Sequence, residues 1–261
     1  MYFVDTHCHP HFDDFLQPTQ LLADAAKAGV TRMIAVGTTL ADSQKAITFA
    51  GCHQNVWASV GIHPHDAKAF EDQAFQGQAL EMRRLLGKPK VMAVGELGLD
   101  YYKLYSSKEE QTKALREQIE IGLETGLPFI FHVREAFEDF FKIFDEYQSP
   151  SRRIRGVVHS FSAHPKQLQQ VLERGLYVGL NGIMTFTKDR AQLAAAKLVP
   201  TGKLLLETDA PFLAPKPYRG EICQPKHIRD IAECLAELRG EEVEQLARQT
   251  TKNARQLFGL I

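Results

Sequence analysis

Short, continuously apolar or β-branched runs alternate with longer amphipathic stretches along the whole chain. The runs at 2–7, 32–37, 56–61, 91–95, 128–132, 156–159, 177–180 and 203–207 predict eight strands. They lack the regular in-out alternation of a sheet with one wet face, so they suit a parallel sheet covered on both faces. The stretches between them have helical spacing. Residues 20–28 end at Gly29, a residue suited to the left-handed position that closes a helix. In 108–125, Leu115, Ile119 and Leu123 recur every four residues. Ser107 and Glu110 have the spacing of a capping box there, and Gly126 follows. In 224–238, Ile228, Ile231, Ala232, Leu235 and Leu238 fall at helical intervals before Gly240. A last pair of short helices is expected over 241–257.

Strands and helices alternating in this way predict an α/β fold: one (β/α)8 TIM barrel with extra C-terminal helices, spanning 1–261 as a single domain. An open doubly wound sheet is the alternative. The length of 261 residues suits one such barrel, and 44% hydrophobic with 24% charged residues is a globular composition. It excludes collagen-like, disordered and disulfide-scaffold classes.

Lys and Arg total 31 against 32 Asp and Glu, a net charge of −1. Charge alone therefore gives no reason to expect a general polyanion binder. Any nucleic-acid contact must come from a local patch or from bound metal. Cys8, Cys52, Cys223 and Cys234 form no CxxC pair, which suits a reduced, cytoplasmic setting. The first residues carry no basic leader, and the uncharged stretch 46–65 is interrupted by glycines, histidines and a proline. Neither a signal peptide nor a membrane span is expected, and nothing calls for an obligate protein partner.

The chemistry-bearing residues gather at one end of the predicted strands. Asp5, His7 and His9 are two apart, so on a strand they share a face. Glu96 directly follows the run 91–95, His132 and His159 end theirs, and Asp209 follows 203–207. In a barrel these C-terminal ends form the ring on which active sites are built. Four imidazoles and two carboxylates there suit one or two divalent cations with open positions. A carboxylate among imidazoles can bridge two cations, and such a pair activates water and steadies an in-line displacement at phosphorus. Glu207, two residues before Asp209, reads equally as a partner orienting a ligand, as a further ligand, or as a buried acid paired inside the barrel.

Several segments together resemble the TatD-related metal-dependent deoxyribonucleases, within the broader amidohydrolase-like barrels. They are Val4-Asp5-Thr6-His7-Cys8-His9, Gly61-Ile62-His63-Pro64-His65, the run from Val94 to Tyr102, His132-Val133-Arg134, His159-Ser160-Phe161-Ser162 and Leu206-Glu207-Thr208-Asp209-Ala210-Pro211. The resemblance implies one metal held by His7, His9 and Asp209. It implies a second held by His132 and His159, with Glu96 bridging. His63 is then expected on a substrate phosphate, with Arg134 and His65 as further substrate contacts. Two departures stand out. Ser160 and Ala163 replace a cysteine and a glycine of the usual stretch, and the Asn-x-Pro element near Gln224 is missing.

The function so implied is a divalent-metal-dependent hydrolase, a deoxyribonuclease or 3′-5′ exonuclease in which metal-activated water cleaves phosphodiester bonds. Its catalytic residues are Asp209 and Glu96, its substrate single-stranded or end-exposed DNA, and its cofactors two divalent ions drawn from Zn, Mn, Mg, Fe or Ni. The alternative is hydrolysis of a small amide, ester or cyclic C–N substrate on the same centre. Loop aromatics Phe12, Tyr101, Tyr102, Phe161, Phe186 and Tyr218 are candidates to stack on unpaired bases. His11, His53, His164 and His227 read as surface residues.

Overall fold

The computed structural model describes residues 1–70, 75–149 and 153–260. The chain divides into two compact units, one made of Met1–Ala35 with His159–Ile261 and the other of Val36–Val158.

The first unit opens with β1 (Phe3–Cys8), α1 (Pro18–Lys27) and β2 (Val30–Ala35). The second unit holds α2 (Leu40–Cys52), β3 (Val56–Val60), α3 (Phe75–Leu86), β4 (Val91–Asp100), α4 (Lys108–Thr125), β5 (Phe129–Arg134), α5 (Phe137–Tyr147) and β6 (Gly156–Val158). The chain then returns to the first unit with α6 (Pro165–Glu173), β7 (Tyr177–Leu180), α7 (Ile183–Phe186), α8 (Arg190–Leu198), β8 (Leu204–Leu206), α9 (Ile228–Arg239) and α10 (Val243–Phe258). The eight strands follow one another in the sheet in chain order. The fold class is the (β/α)8 barrel, and the open doubly wound sheet is set aside.

In the second unit β3, β4, β5 and β6 pair in parallel, each with the next. Its core is aromatic. Phe129 and Phe131 stack at 5.4 Å on alternate, helix-facing positions of β5, and Phe140 and Phe144 of α5 meet Phe131 edge-on at 5.1 and 5.8 Å. All four are fully buried, each withdrawing an area worth about 2–3 kcal/mol of transfer free energy. The predicted capping box is present: Ser107 Oγ accepts from Glu110 N–H at 3.2 Å, Ser107 N–H donates to Glu110 Oε2 at 2.6 Å, and Gly126 closes α4 at φ 68°.

In the first unit β1 pairs with β2, and β7 with β8. Thr6 Oγ1 donates to Leu206 O at 3.0 Å, tying β1 to β8. The C-terminal segment differs from its expectation. Instead of two short helices, one helix of 16 residues runs over Val243–Phe258. Leu246, Ala247, Thr250, Asn253, Ala254, Leu257 and Phe258 keep its buried face unbroken. Asn253 Nδ2 donates to Thr201 O and Leu204 O, both at 2.8 Å, anchoring the start of β8.

Candidate metal centre

β1 carries His7 inside the strand and His9 one residue beyond it, both buried. Asp5, the third residue of the set, faces sideways into a hydrogen-bond knot. Its Oδ2 accepts from Thr208 Oγ1 at 2.6 Å, and its Oδ1 accepts from Thr208 N–H at 3.0 Å and His7 N–H at 3.3 Å. Burial pushes the Asp5 carboxyl up to about 7 against those donors. Asp5 therefore locks the end of β8 to β1. Asp209 N–H donates to His7 O at 2.8 Å and His9 N–H donates to Ala210 O at 2.7 Å, completing the lock.

This lock delivers three ligand-type groups to one place. His7 Nε2 and His9 Nε2 lie 3.5 and 3.6 Å from Asp209 Oδ1. His7, His159 and Asp209 form one group able to hold an ion. The rings of His7 and His159 stack at 3.8 Å. Burial alone would raise the Asp209 carboxyl, but the facing imidazoles of His9, His7 and His159 outweigh it and hold it below the usual carboxylate range.

The donor chemistry fits a divalent cation. Bonds of about 2.0–2.2 Å in tetrahedral array put neighbouring ligand atoms about 3.3–3.6 Å apart. The two imidazole-to-carboxylate separations lie within or at the edge of that range. Glu207 is fully buried and stands beside His159: its Oε1 accepts from Ser160 N–H and lies 3.5 Å from His159 Nδ1. It belongs to none of the three-residue ligand groups found among the described residues. Gly179 makes room for it, since a Cβ there would come within 2.2 Å of Glu207 Oε2.

The second unit carries its own cluster. Glu96, expected just after a strand, lies inside β4, which extends to Asp100. The extension follows from Gly98, whose φ of 152° and lack of Cβ let the β5 backbone approach; a Cβ there would fall 1.8 Å from His132 O. His132 Nδ1 stands 2.8 Å from Glu96 Oε1, and His63 Nε2 stands 3.3 Å from His132 Nδ1 and 3.6 Å from Glu96 Oε1. His63, Glu96 and His132 are a second group able to hold an ion.

Asp100 is the residue that sequence reasoning passed over. Its Oδ2 takes His132 Nε2 at 3.0 Å and His65 Nε2 at 3.1 Å, while its Oδ1 accepts from Tyr102 N–H and Lys103 N–H. Burial opposes its charge, but the imidazoles and backbone donors hold it well below the usual range. The signal was available: Asp100 is four residues after Glu96 and shares its strand face. Two buried glutamines of α4 were also missed. Gln118 closes both backbone groups of Ile62 at 2.7 and 3.0 Å, and Gln111 both of Asp100 at 2.8 and 3.0 Å. Seven apart on one helix face, they clamp the segments that carry His63 and Asp100.

The remaining expectations divide. Arg134 is exposed at the end of β5, its guanidinium 3.8 Å above the Tyr102 ring. His65 is engaged with Asp100 through Nε2. Phe161 is buried and is unavailable to stack on a base. His227, expected at the surface, is buried too: it stacks on Tyr218 at 4.4 Å and its Nδ1 accepts from Gln224 N–H. Among the described residues no helix is long and apolar enough to cross a membrane.

These features agree with three comparisons. The family model described as TatD related DNase matches residues 4–259. The "Uncharacterized metal-dependent hydrolase YcfH" of Escherichia coli K12 is 37% identical, over 99% of this chain and 96% of that protein. The "3'-5' ssDNA/RNA exonuclease TatD" of Cronobacter sakazakii is 35% identical, over 92% of this chain and 90% of that protein. The crystal structure of YjjV, a TatD homologue of Escherichia coli K12, superposes with a TM-score of 0.91 at 28% identity, covering 99% of this chain and 98% of that one. The chain is an enzyme and belongs to the TatD-related DNase family.

Proposed function

We propose that this enzyme is a divalent-metal-dependent phosphodiesterase, a 3′-5′ exonuclease acting on single-stranded or end-exposed DNA. The observation that carries the reading is the gathering of ligand-type atoms in two largely buried clusters, His7, His9, His159 and Asp209 in one unit and Glu96 and His132, with His63 beside them, in the other. The names of the relatives support the nuclease activity and its polarity. The site residues His7, His9, His132, His159, Glu96 and Asp209 are proposed as the ligands. The resemblance assigns two ions to them, and the ligand types suit Zn, Mn, Fe or Ni, with Mg as a weaker fit.

Bound divalent ions supply Lewis acidity toward the phosphate and lower the cost of ionising water. The chain's own groups then have separable tasks. Asp209 remains anionic, so a carboxylate oxygen can accept the proton of the attacking water. His132 donates through Nε2 to Asp100, which leaves its Nδ1 lone pair directed at the Glu96 side. His63 has the opposite tautomer. Its Nδ1 accepts from His65 N–H at 3.1 Å, so the ring proton sits on Nε2. His63 Nε2 is thereby a donor, suited to a non-bridging phosphate oxygen. Arg134, with its planar fork propped on Tyr102, offers a second phosphate contact. His65 acts through Asp100.

The test is release of nucleotides from 3′-labelled and 5′-labelled single-stranded DNA, with each candidate metal set against chelator. Metal-dependent shortening from the 3′ end supports the proposal. A fully metallated protein that leaves every DNA and RNA strand intact, yet turns over an ester or amide panel, overturns it in favour of a small-molecule hydrolase.

A further inference from the structure

Phe212 sits three residues after Asp209 with 52% of its surface exposed, although it follows a buried strand end. Its ring meets Phe12 edge-on at 6.3 Å and His9 at 6.0 Å, and Phe12 in turn stacks on His9 at 4.6 Å. An aromatic ledge thus begins at a proposed metal ligand and ends in solvent.

The ledge is held in place by its backbone. Asp209 and Leu213, on either side, adopt left-handed φ of 60° and 55°, a conformation that non-glycine residues adopt sparingly. Phe212 N–H donates to Asp209 O at 2.8 Å and Cys223 N–H donates to Pro211 O at 3.0 Å. Leu213 O presses on Gly182 so closely that a Cβ there would meet it at 2.0 Å. A loop fixed at this many points presents Phe212 outward rather than folding it onto the core. Strain kept beside a reactive centre, and spent on exposing an apolar ring, points to a ligand face.

We propose that Phe212, backed by Phe12, is a stacking platform for the nucleobase next to the phosphate being cleaved. The proposal rests on the phosphodiesterase reading above and deepens it by naming the part of the substrate recognised: the face of an unpaired base. A π-face is common to all four bases, so the platform confers grip on single strands without sequence preference. It also requires the terminal base to be unpaired.

The experiment compares wild type, Phe212→Ala, Phe212→Leu and Phe212→Trp on two single-stranded oligonucleotides, one intact and one abasic at its 3′ residue. A third strand carries 2-aminopurine at that residue, for stopped-flow fluorescence before the first cleavage. Wild type is expected to prefer the intact strand in kcat/KM. In Phe212→Ala and Phe212→Leu this preference falls about tenfold and the rapid 2-aminopurine quench is lost. Phe212→Trp keeps both, which also shows that the loop tolerates substitution. If wild type cleaves DNA and the Ala and Leu variants keep its preference and its quench, the platform is overturned while the nuclease stands. If wild type cleaves no nucleic acid with any metal, both fall.

Discussion

Asp100 Oδ2 receives His132 Nε2 at 3.0 Å and His65 Nε2 at 3.1 Å, so one buried carboxylate orients two imidazoles of the same unit. The contact fixes which nitrogen of His132 is left for the proposed cation. Replacing Asp100 by Asn keeps the shape but removes the charge and the certainty of the acceptor. Partners of this kind are worth about 10- to 100-fold in metal affinity. Asp100→Asn is therefore expected to need more metal for half-maximal turnover by about that factor, with a circular dichroism spectrum like wild type. Metal titration of activity checks it, and an unchanged midpoint would show that Asp100 serves only the fold.

Glu96 is buried, and its Oε1 stands 2.8 Å from His132 Nδ1 and 3.6 Å from His63 Nε2. Its removal deletes little core area. The resemblance gives this carboxylate to both ions, which predicts a loss of more than one metal per chain from a single substitution. Glu96→Ala is expected to lose turnover by at least about 10³-fold, the equivalent of several kcal/mol of lost charge stabilisation. Elemental analysis after dialysis reads the stoichiometry directly. A folded variant that retains its full metal content or its activity contradicts the assignment.

The proposed ligand residues stood out in the sequence because their spacing follows strand geometry. His7 and His9 are two apart, and the other candidates close or follow aliphatic runs whose boundaries the structure moves by only a few residues. Support from outside the strands was harder to see. Gln111 and Gln118 look like polar positions on an amphipathic helix, and only the packed helix shows them closing backbone groups of Asp100 and Ile62. β4 outran its expected end because Gly95 and Gly98, ordinary stop signals, here admit a neighbouring backbone at close range. His227 was misjudged for a related reason. A histidine beside a proline and a lysine reads as a solvated loop, but stacking on Tyr218 draws it inside. Phe212 drew no notice because an exposed phenylalanine has no pattern in sequence; its left-handed neighbours exist only in the folded loop.

Arg134 is held above Tyr102 at 3.8 Å, a contact that stiffens the side chain without neutralising its charge. A guanidinium in that state suits a phosphate. Arg134→Ala is expected to raise KM for an oligonucleotide about 10- to 100-fold, the worth of one charge-assisted hydrogen bond, with kcat changed less. Arg134→Lys keeps the charge but loses the fork and the flat stack, so it should recover only part of the affinity. Steady-state kinetics at two salt concentrations separates the cases. Equal KM values for all three proteins would return Arg134 to a role in covering Tyr102.

His227 supplies a pH dependence that owes nothing to the metal ligands. Burial, helped by the charge of Lys226, pushes its pKa down to about 4, against about 6.5 in an unfolded chain. The folded protein refuses the proton that the unfolded chain accepts. Stability from this residue is thus complete above about pH 6.5 and is lost as pH falls toward 4. At pH 5 the loss amounts to about 2 kcal/mol. His227→Phe keeps a flat ring against Tyr218 but gives up the acceptor for Gln224 N–H, so it starts less stable at pH 7.5. It has no proton to take up, so the gap to wild type should close by about 2 kcal/mol between pH 7.5 and pH 5. Urea unfolding of both proteins at the two pH values, with the same metal content, measures that gap. Carboxylates and metal ligands titrate alike in the pair and cancel in the difference. A gap that stays constant would mean that His227 takes up its proton in the folded protein as readily as in the unfolded chain.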